Sequence, residues 1–412
     1  MEAIILAGGL GKRLRSAVPD LPKCMARIIN RPFLEYLLDY LLEEGVTRVV
    51  FSVGYKSLFI QNHFRESYKS CAISYVLERE QLGTGGAIKK SLAYINSDEV
   101  IVLNGDSLIL GSLKKQVKYH KSKSADVTIA LKQLENPSRY GTVDLDENNK
   151  VINFKEKQIL DSGFINTGCY IFNTNIFRNH SFPDKFSIEN DFFQNQVNNF
   201  NFYGFETDGY FLDIGIPEDF RKAQLEIGVF PNIDSTWTLF LDRDGVINQR
   251  IVDDYVRDIS QFKFLDDVIE AICSFSKIFQ NIIVVTNQQG IGKGLVKKED
   301  LLNIHKKMSN SIEEKGGRID AVYYAPQLKE ENSLMRKPMP GMAQKAKHDF
   351  PTIDFNKSIM IGDSLSDMEF AINAGLIPVY LNSSENDSNW YKINSLISFS
   401  KLLDSVLNKD ET

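Results

Sequence analysis

Cysteine and histidine are scarce in this chain. Four cysteines, Cys24, Cys71, Cys169 and Cys273, are scattered over 412 residues without C-x-x-C spacing, and the five histidines form no paired set with them. That distribution argues against a disulfide framework and against a zinc site. Long apolar runs are missing too, and no charged leader precedes one at the amino terminus. Crossing a bilayer takes about 20 apolar residues, so no membrane partner is expected and the cytoplasm is the expected compartment. There is no basic excess: the formal net charge is -6. Phosphate-backbone binding wants a basic face, so no nucleic-acid partner is expected. The sequence leaves the oligomeric state open. At about 150 residues per domain, the length implies two or three domains.

Two common phosphate-binding motifs are also absent. The opening stretch Ala3-Ile-Ile-Leu-Ala-Gly-Gly-Leu-Gly-Lys-Arg-Leu-Arg15 has Gly11-Lys12 followed by Arg13, with no glycine five positions before Gly11, so it is not a P-loop. Gly9 and Gly11 begin a dinucleotide fingerprint, but Leu14 stands where its third glycine belongs. What remains is a buried strand, with Leu6 and Ala7 at its end, running into an anion cradle. Gly8, Gly9 and Gly11 let backbone N–H groups approach phosphate oxygens, while Lys12, Arg13 and Arg15 supply charge. From this stretch alone a plain glycine turn is an equal alternative.

The next segment, Pro19-Asp-Leu-Pro-Lys23-Cys-Met25, holds one lysine at a fixed distance from that turn, because its two prolines keep it extended. Together the two stretches resemble the signature of sugar-1-phosphate nucleotidyltransferases. The resemblance implies that Gly8, Gly9, Gly11, Arg13 and Lys23 bind phosphates and that Arg13 and Lys23 are catalytic. Cys24 stands where that family is expected to have proline.

Downstream, apolar residues at helical spacing from Pro32 to Glu44, a buried strand Arg48–Val53, a helix around residues 86–94 and a strand from Val100 to Leu103 alternate. This predicts a doubly wound sheet with ligands beyond the carboxyl ends of its strands. Glu80-Gln-Leu-Gly-Thr-Gly-Gly-Ala87, with Gly83 and Thr84, reads as a loop that accepts a flat base, or as ordinary loop glycines. Asp106, after Asn104-Gly105, stands where Mg²⁺ is commonly held. From Ala125 onward, period-two stretches predict a mixed extension of the sheet. In the resembled family, the slots of Gly141, Glu156, Lys157 and Asn166 contact the sugar phosphate. A solvated hairpin edge is an equal reading of each. Asp213, in Tyr210-Phe-Leu-Asp-Ile-Gly-Ile-Pro217, resembles the family's second metal carboxylate. Over nearly all of residues 1–226 the chain resembles the guanylyltransferases that make GDP-heptose from D-glycero-D-manno-heptose 1-phosphate. Guanine, GTP and heptose follow from that likeness alone.

Periodicity lapses over Gly228-Val-Phe-Pro-Asn-Ile-Asp-Ser-Thr236, read as a linker, so the expected domains are 1–227 and 237–412. The second opens with Trp237-Thr-Leu-Phe-Leu-Asp242-Arg-Asp244-Gly-Val246. Residues two apart on a strand face one side, so Asp242 and Asp244 should converge on one phosphate and one cation. With Ile282-Ile-Val-Val-Thr286, Arg336-Lys337-Pro338 and Ser358-Ile-Met-Ile-Gly-Asp363-Ser-Leu-Ser-Asp367 in this order, the stretch resembles the haloacid-dehalogenase phosphatases.

That resemblance implies Asp242 as nucleophile, Asp244 as acid and base, and Thr286 and Lys337 on the phosphoryl oxygens. Mg²⁺ would be held by Asp242, Asp363 and the backbone carbonyl of Asp244. Asp367 reads equally as a further acid near the metal or as a helix cap. Around 237–382 the likeness narrows to heptose 1,7-bisphosphate phosphatases. Those usually carry a Cys/His zinc loop before Arg-Lys-Pro, and Ala325-Pro-Gln-Leu-Lys-Glu-Glu-Asn-Ser-Leu-Met335 offers neither residue, so no zinc is expected.

The predicted architecture is therefore α/β in two domains: a Rossmann-like mixed sheet with helices on both faces, then a haloacid-dehalogenase-like parallel sheet. The expected function is removal of the 7-phosphate from a heptose 1,7-bisphosphate, followed by guanylyl transfer to the 1-phosphate. Mg²⁺ would serve both domains and only small-molecule substrates are implied. Rival readings keep both reactions on another sugar or base, make the first domain a nucleotide sensor for the phosphatase, or make the chain a non-enzymatic assembly protein.

Overall fold

The computed structural model describes residues 1–155, 160–252, 254–381 and 390–407. It divides into two α/β units, Met1–Gln224 and Leu225–Thr412.

The first unit is built on a ten-stranded mixed sheet. Glu2–Ala7 lies at its centre, parallel to both Arg48–Val53 and Glu99–Asn104. Cys71–Leu77 continues the parallel part beyond Arg48–Val53. On the other side the twelve-residue strand Ser162–Asn173 runs antiparallel to Glu99–Asn104 and carries the expected extension, Val127–Glu135 with Phe202–Glu206, and Thr142–Leu145 with Val151–Lys155. Successive residues Val49 to Val53 are all buried, as are Ala3, Ile4 and Ile5, so both faces of the central strands are covered. A separate ribbon pairs Tyr210–Asp213 with Ser107–Leu110, setting Asp213 opposite Ser107.

Two expectations need correction. The glycines of the 80–87 stretch do not form a loop, because the helix Gly83–Ser91 begins at Gly83. Their missing side chains make room for the protein itself: a Cβ on Gly85 would run into the ring of Phe186, whose backbone O accepts from Gly85 N at 3.0 Å. The 228–236 segment is not a linker either. Phe230 and Ile233 are buried in the core of the second unit, and the Phe230 ring sits edge-on, 5.3 Å from the rings of both Tyr391 and Phe399. Periodicity lapses there because Phe230–Asn232 is one short 3₁₀ turn with Pro231 in it.

The second unit is a six-stranded, all-parallel sheet in the order Ala321–Ala325, Asn281–Asn287, Thr238–Leu241, Ser358–Gly362, Ile377–Leu381, Tyr391–Ile393. Alternation along the central strand feeds two cores. Leu239 and Leu241 join that of the helices Val268–Ile278 and Leu396–Leu407, while Phe240 joins that of Gly341–Asp349 and Leu365–Ala374. Among the described residues no helix is long and apolar enough to cross a membrane.

Candidate active sites

In the first unit the strand Glu2–Ala7 ends where the glycines turn the backbone away from the sheet. Gly11 takes φ 58, a left-handed conformation that disfavours a side chain, and opens the 3₁₀ turn Lys12–Leu14. A Cβ on Gly9 would meet nothing within 4 Å, so its backbone borders open cavity. Leu6, Ala7, Gly9, Gly11, Lys12, Arg13, Lys23 and Asp106 line a cavity of about 220 Å³. Leu6, Gly9 and Asp106 also border a second one of about 480 Å³, with Gly8, Gly83 and Thr84. The residues expected to bind phosphates, Gly8, Gly9, Gly11, Arg13 and Lys23, therefore all border one or other of these two cavities.

Lys23 is the meeting point. Its ammonium is ion-paired with Asp106 and lies 3.5 Å from Asp213 Oδ1. The ribbon register and the bond from Ile214 N to Asp106 O, 3.0 Å, bring these acids together from distant parts of the chain. Burial raises Asp213 above the usual carboxylate range, and Asp106 adds to the rise while Lys23 opposes it. Two carboxylates sharing one monovalent cation, with one of them already reluctant to ionise, fit a divalent ion.

Other expected contacts are used differently. Thr84 Oγ1 donates to Glu189 Oε2 at 2.7 Å and accepts from Ile188 N at 2.8 Å, fastening the segment that follows Lys185, which lines the larger cavity along with Thr84. Asn166 N bonds Gly141 O at 3.0 Å, so that pair does meet, yet neither residue lines the two cavities. The Asn166 amide is occupied by Tyr170 Oη at 2.8 Å and Gly168 N at 3.0 Å. Glu156 and Lys157 lie outside the described residues. Glu78 and Lys185, which border the larger cavity, were missed. Glu78 directly follows the strand Cys71–Leu77, so recognising that strand would have flagged it by the carboxyl-end rule.

In the second unit the carboxyl ends of three adjacent parallel strands deliver Asp242, Thr286 and Asp363 to one cavity of about 220 Å³, shared with Asp244, Lys337 and Asp367. Lys337 Nζ donates to Asp242 Oδ1 at 2.7 Å and to Val285 O at 2.9 Å, and pairs with Asp367 Oδ1 at 2.5 Å. Burial works against its charge, but the two acids lift it to about 12. Burial raises Asp242 to about 7 against the pull of Lys337, with Asp367 and Asp363 adding to the rise; burial and Asp367 raise Asp363 to about 6. One carboxylate oxygen from each of Asp242, Asp363 and Asp367 lies within 4.8 Å of the others. This donor set is all oxygen, crowded and short of positive charge, and it fits Mg²⁺.

Asp244 departs from expectation. The strand ends at Leu241, and the Asp244 carboxylate turns to Arg243, whose Nη2 is 2.8 Å from both its oxygens. Asn248 Nδ2 at 2.9 Å and Gln288 Nε2 at 2.7 Å complete the shell. Burial would raise this acid, but Arg243 and these donors hold it below the usual range. The third acid beside Asp242 and Asp363 is therefore Asp367, not the Asp244 side chain; the carbonyl role expected of Asp244 does not involve that side chain. Asp367 lies beside Asp242 and Asp363 and also caps the helix Leu365–Ala374, its Oδ2 accepting from Ser364 Oγ at 2.6 Å. Arg243 is fully buried, and His305, 3.1 Å from it, is pushed down to about 3 by burial and that charge. Nothing in its position between two aspartates foretold a buried arginine.

A mixed-sheet α/β unit with a glycine cradle and paired acids defines a class, and comparison with known families agrees with it. Residues 2–228 match the nucleotidyl transferase family model, and the chain belongs to that family. Residues 239–377 match the model described as polynucleotide kinase 3 phosphatase, so the chain joins a nucleotidyltransferase unit to a phosphatase-type unit. Its first half is similar to the D-glycero-alpha-D-manno-heptose 1-phosphate guanylyltransferase of Aneurinibacillus thermoaerophilus, 49% identical over 227 residues, 55% of this chain and 98% of that protein. It is also similar to the crystal structure of HddC from Yersinia pseudotuberculosis complexed with GMP-PN, with TM-score 0.50 and 38% identity over 55% of this chain and 99% of that one. The second half is similar to a D,D-heptose 1,7-bisphosphate phosphatase structure from B. bronchiseptica, with TM-score 0.37 and 27% identity over 40% of this chain and 97% of that one.

Proposed function

We propose that the two units act in succession on a heptose phosphate. The second hydrolyses the 7-phosphate of D-glycero-D-manno-heptose 1,7-bisphosphate, and the first transfers GMP from GTP to the resulting 1-phosphate, releasing pyrophosphate and GDP-heptose. The observation that carries this reading is the convergence of Lys23, Asp106 and Asp213 beside a glycine cradle, in a unit so similar to a heptose 1-phosphate guanylyltransferase.

In the first unit the sugar 1-phosphate oxygen attacks the α-phosphorus in line, with no enzyme nucleophile. Lys23 and Arg13 neutralise the developing charge, and Asp106 and Asp213 would hold Mg²⁺. We assign Glu78 to the base. Its Oε1 accepts from Ser52 Oγ at 2.8 Å and its Oε2 from Leu82 N at 3.4 Å, and the remaining carboxylate lone pairs, acceptors only, match the N1–H and 2-amino donors of guanine, whereas N1 of adenine carries a lone pair.

In the second unit Asp242 Oδ attacks phosphorus, the bond to the C7 oxygen breaks, and water then hydrolyses the aspartyl-phosphate. Thr286 and Lys337 hold the phosphoryl oxygens. Asp244 rests ionised against Arg243, ready to take a proton from the attacking water; donating one to the departing alcohol requires it to be protonated first. Asp242, Asp363 and the Asp244 carbonyl, with Asp367 as the further acid beside them, would hold Mg²⁺, which would supply charge stabilisation at the phosphoryl group. We assign both reactions to the cytoplasm because guanylyl transfer in the first unit consumes a nucleoside triphosphate.

The test is a coupled assay with heptose 1,7-bisphosphate, GTP and Mg²⁺, in which phosphate should appear before pyrophosphate and GDP-heptose. Faster turnover of another sugar 1-phosphate or triphosphate would refute the assignment. Glu78→Gln should lower the preference for GTP over ATP by about tenfold or more while leaving phosphate release alone.

A further inference from the structure

We propose that Lys56 is a positioning residue for nucleotidyl transfer: it clamps the 12–22 loop so that Arg13 and Lys23, at its two ends, are preset for a triphosphate. The inference rests on reading the first unit's cavity as the nucleotide site.

The register of the sheet brings the parts together. Ala7 pairs with Val53, so the glycine turn and the segment Gly54-Tyr55-Lys56 leave the same edge of the sheet side by side. They touch, since a Cβ built on Gly54 would lie 3.0 Å from Gly8 O. Lys56 then takes φ 52 and ψ 35, a left-handed conformation unfavourable for a residue with a long side chain. In return Lys56 Nζ reaches the 12–22 loop, donating to Asp20 O at 2.8 Å and Pro19 O at 3.2 Å. Tyr55 supplies a second hold, its ring centroid 5.1 Å from the Arg15 guanidinium carbon.

What the clamp holds is the cationic side of the cavity. Lys12 and Arg13 line it from the loop's beginning while remaining exposed, and the loop runs through Pro22 directly into Lys23. The 12–22 stretch contains one short 3₁₀ turn, Lys12–Leu14, extended by bonds from Ala17 N and Val18 N to Leu14 O. The Lys56 bonds fall just beyond, on Pro19 and Asp20, where the chain crosses toward Lys23. Without them the loop samples more conformations, and the nucleotide must order it on binding. The loss then appears in affinity more than in turnover, because a bound triphosphate rebuilds the same geometry.

The experiment uses the full chain, with Lys56→Met removing the donors but keeping the stem and Lys56→Arg restoring donors. Binding of guanosine 5′-(β,γ-imido)triphosphate is measured by calorimetry, cleavage in the 12–15 stretch by brief trypsin treatment, and kcat and KM by pyrophosphate release. Lys56→Met should weaken binding and raise KM for GTP about tenfold, with kcat within about threefold. It should also be cut faster than wild type when free and equally slowly when saturated with the imidotriphosphate. Lys56→Arg should recover most of the affinity, and phosphate release by the second unit should be unchanged. Equal binding and equal cleavage in wild type and Lys56→Met would overturn the proposal alone. An affinity loss with unchanged cleavage would also overturn it, marking Lys56 as a direct ligand. Wild-type protein that does not bind the imidotriphosphate would overturn the nucleotide-site reading and this proposal with it.

Discussion

Both units gather a lysine and two aspartates, but they solvate them differently. Lys23 and Asp106 are 12% and 33% exposed, beside cavities open enough for a polyanion, whereas Lys337 and Asp367 are 2% and 1% exposed. The first arrangement suits a reaction in which the substrates bring both nucleophile and leaving group, so the protein has only to position and neutralise. The second suits a protein nucleophile, because a buried aspartate is poorly hydrated and strongly felt by its neighbours. Burial has a consequence of its own: Asp242 and Asp363 are harder to ionise than ordinary carboxylates, as Asp213 is in the first unit.

This contrast can be broken experimentally, and the sharpest cut is Asp242→Asn. It should lower phosphate release by about 10⁴-fold while leaving pyrophosphate release from GTP and a sugar 1-phosphate intact. Loss of both activities in a folded variant would mean the sites are not independent. Phe230→Ala tests to which unit the 228–236 segment belongs. It should cost the second unit about 3 kcal/mol or more of stability. Both tryptophans, Trp237 and Trp390, lie in that unit, so their fluorescence in denaturant reports it alone; an unchanged midpoint would return the segment to the status of a linker. Lys23→Ala should slow guanylyl transfer by about a hundredfold or more and spare phosphate release, if preset charge is what the first site contributes.

The smallest effect concerns pH. Asp242 and Asp363 stand at about 7 and about 6 in the fold against an ordinary aspartate value of 3.8, so the folded state binds these protons more tightly than the unfolded chain. Their contribution to stability is complete below the unfolded value and is lost as pH rises through about 6 to 7. Mg²⁺ favours the ionised forms, so the rise in the tryptophan-monitored Tm on adding Mg²⁺ should be larger by a few degrees at about pH 7.5 than at about pH 5.5. An equal rise at both would mean these acids are not where the ion binds.

Much of the first site was readable because its ligands are close in sequence. Leu6 to Arg13 are one strand end and one turn, and Lys23 follows after two prolines, so local stereochemistry largely sets their relation. The glycines at 83–86 misled about local structure, since they open a helix and not a loop. Glycine reports only that something approaches the backbone, and here Gly83 and Gly85 are approached by Phe186 and Gly86 by Asp184, while Gly83 and Thr84 also border the larger cavity. Glu78 escaped notice because Cys71–Leu77, with Ser74 and Tyr75 half-buried, lacks the continuous apolar run that marked the central strands. In the second unit the motif residues all reached one cavity, yet their partners could not be inferred: Asp244 next to Arg243 can fold onto that arginine or away from it, and the chain spacing is the same in either case.

The residue order by itself determined the two-unit α/β plan and the short stretches that carry phosphate chemistry, since strand ends, glycine turns and proline-held lysines are products of neighbouring residues. Only the tertiary structure decided which acids share a cation. Asp106 meets Asp213 through the register of a two-stranded ribbon, and Asp367 joins Asp242 through a helix capped behind a neighbouring strand. Contacts between residues far apart along the chain depend on packing that no local spacing encodes.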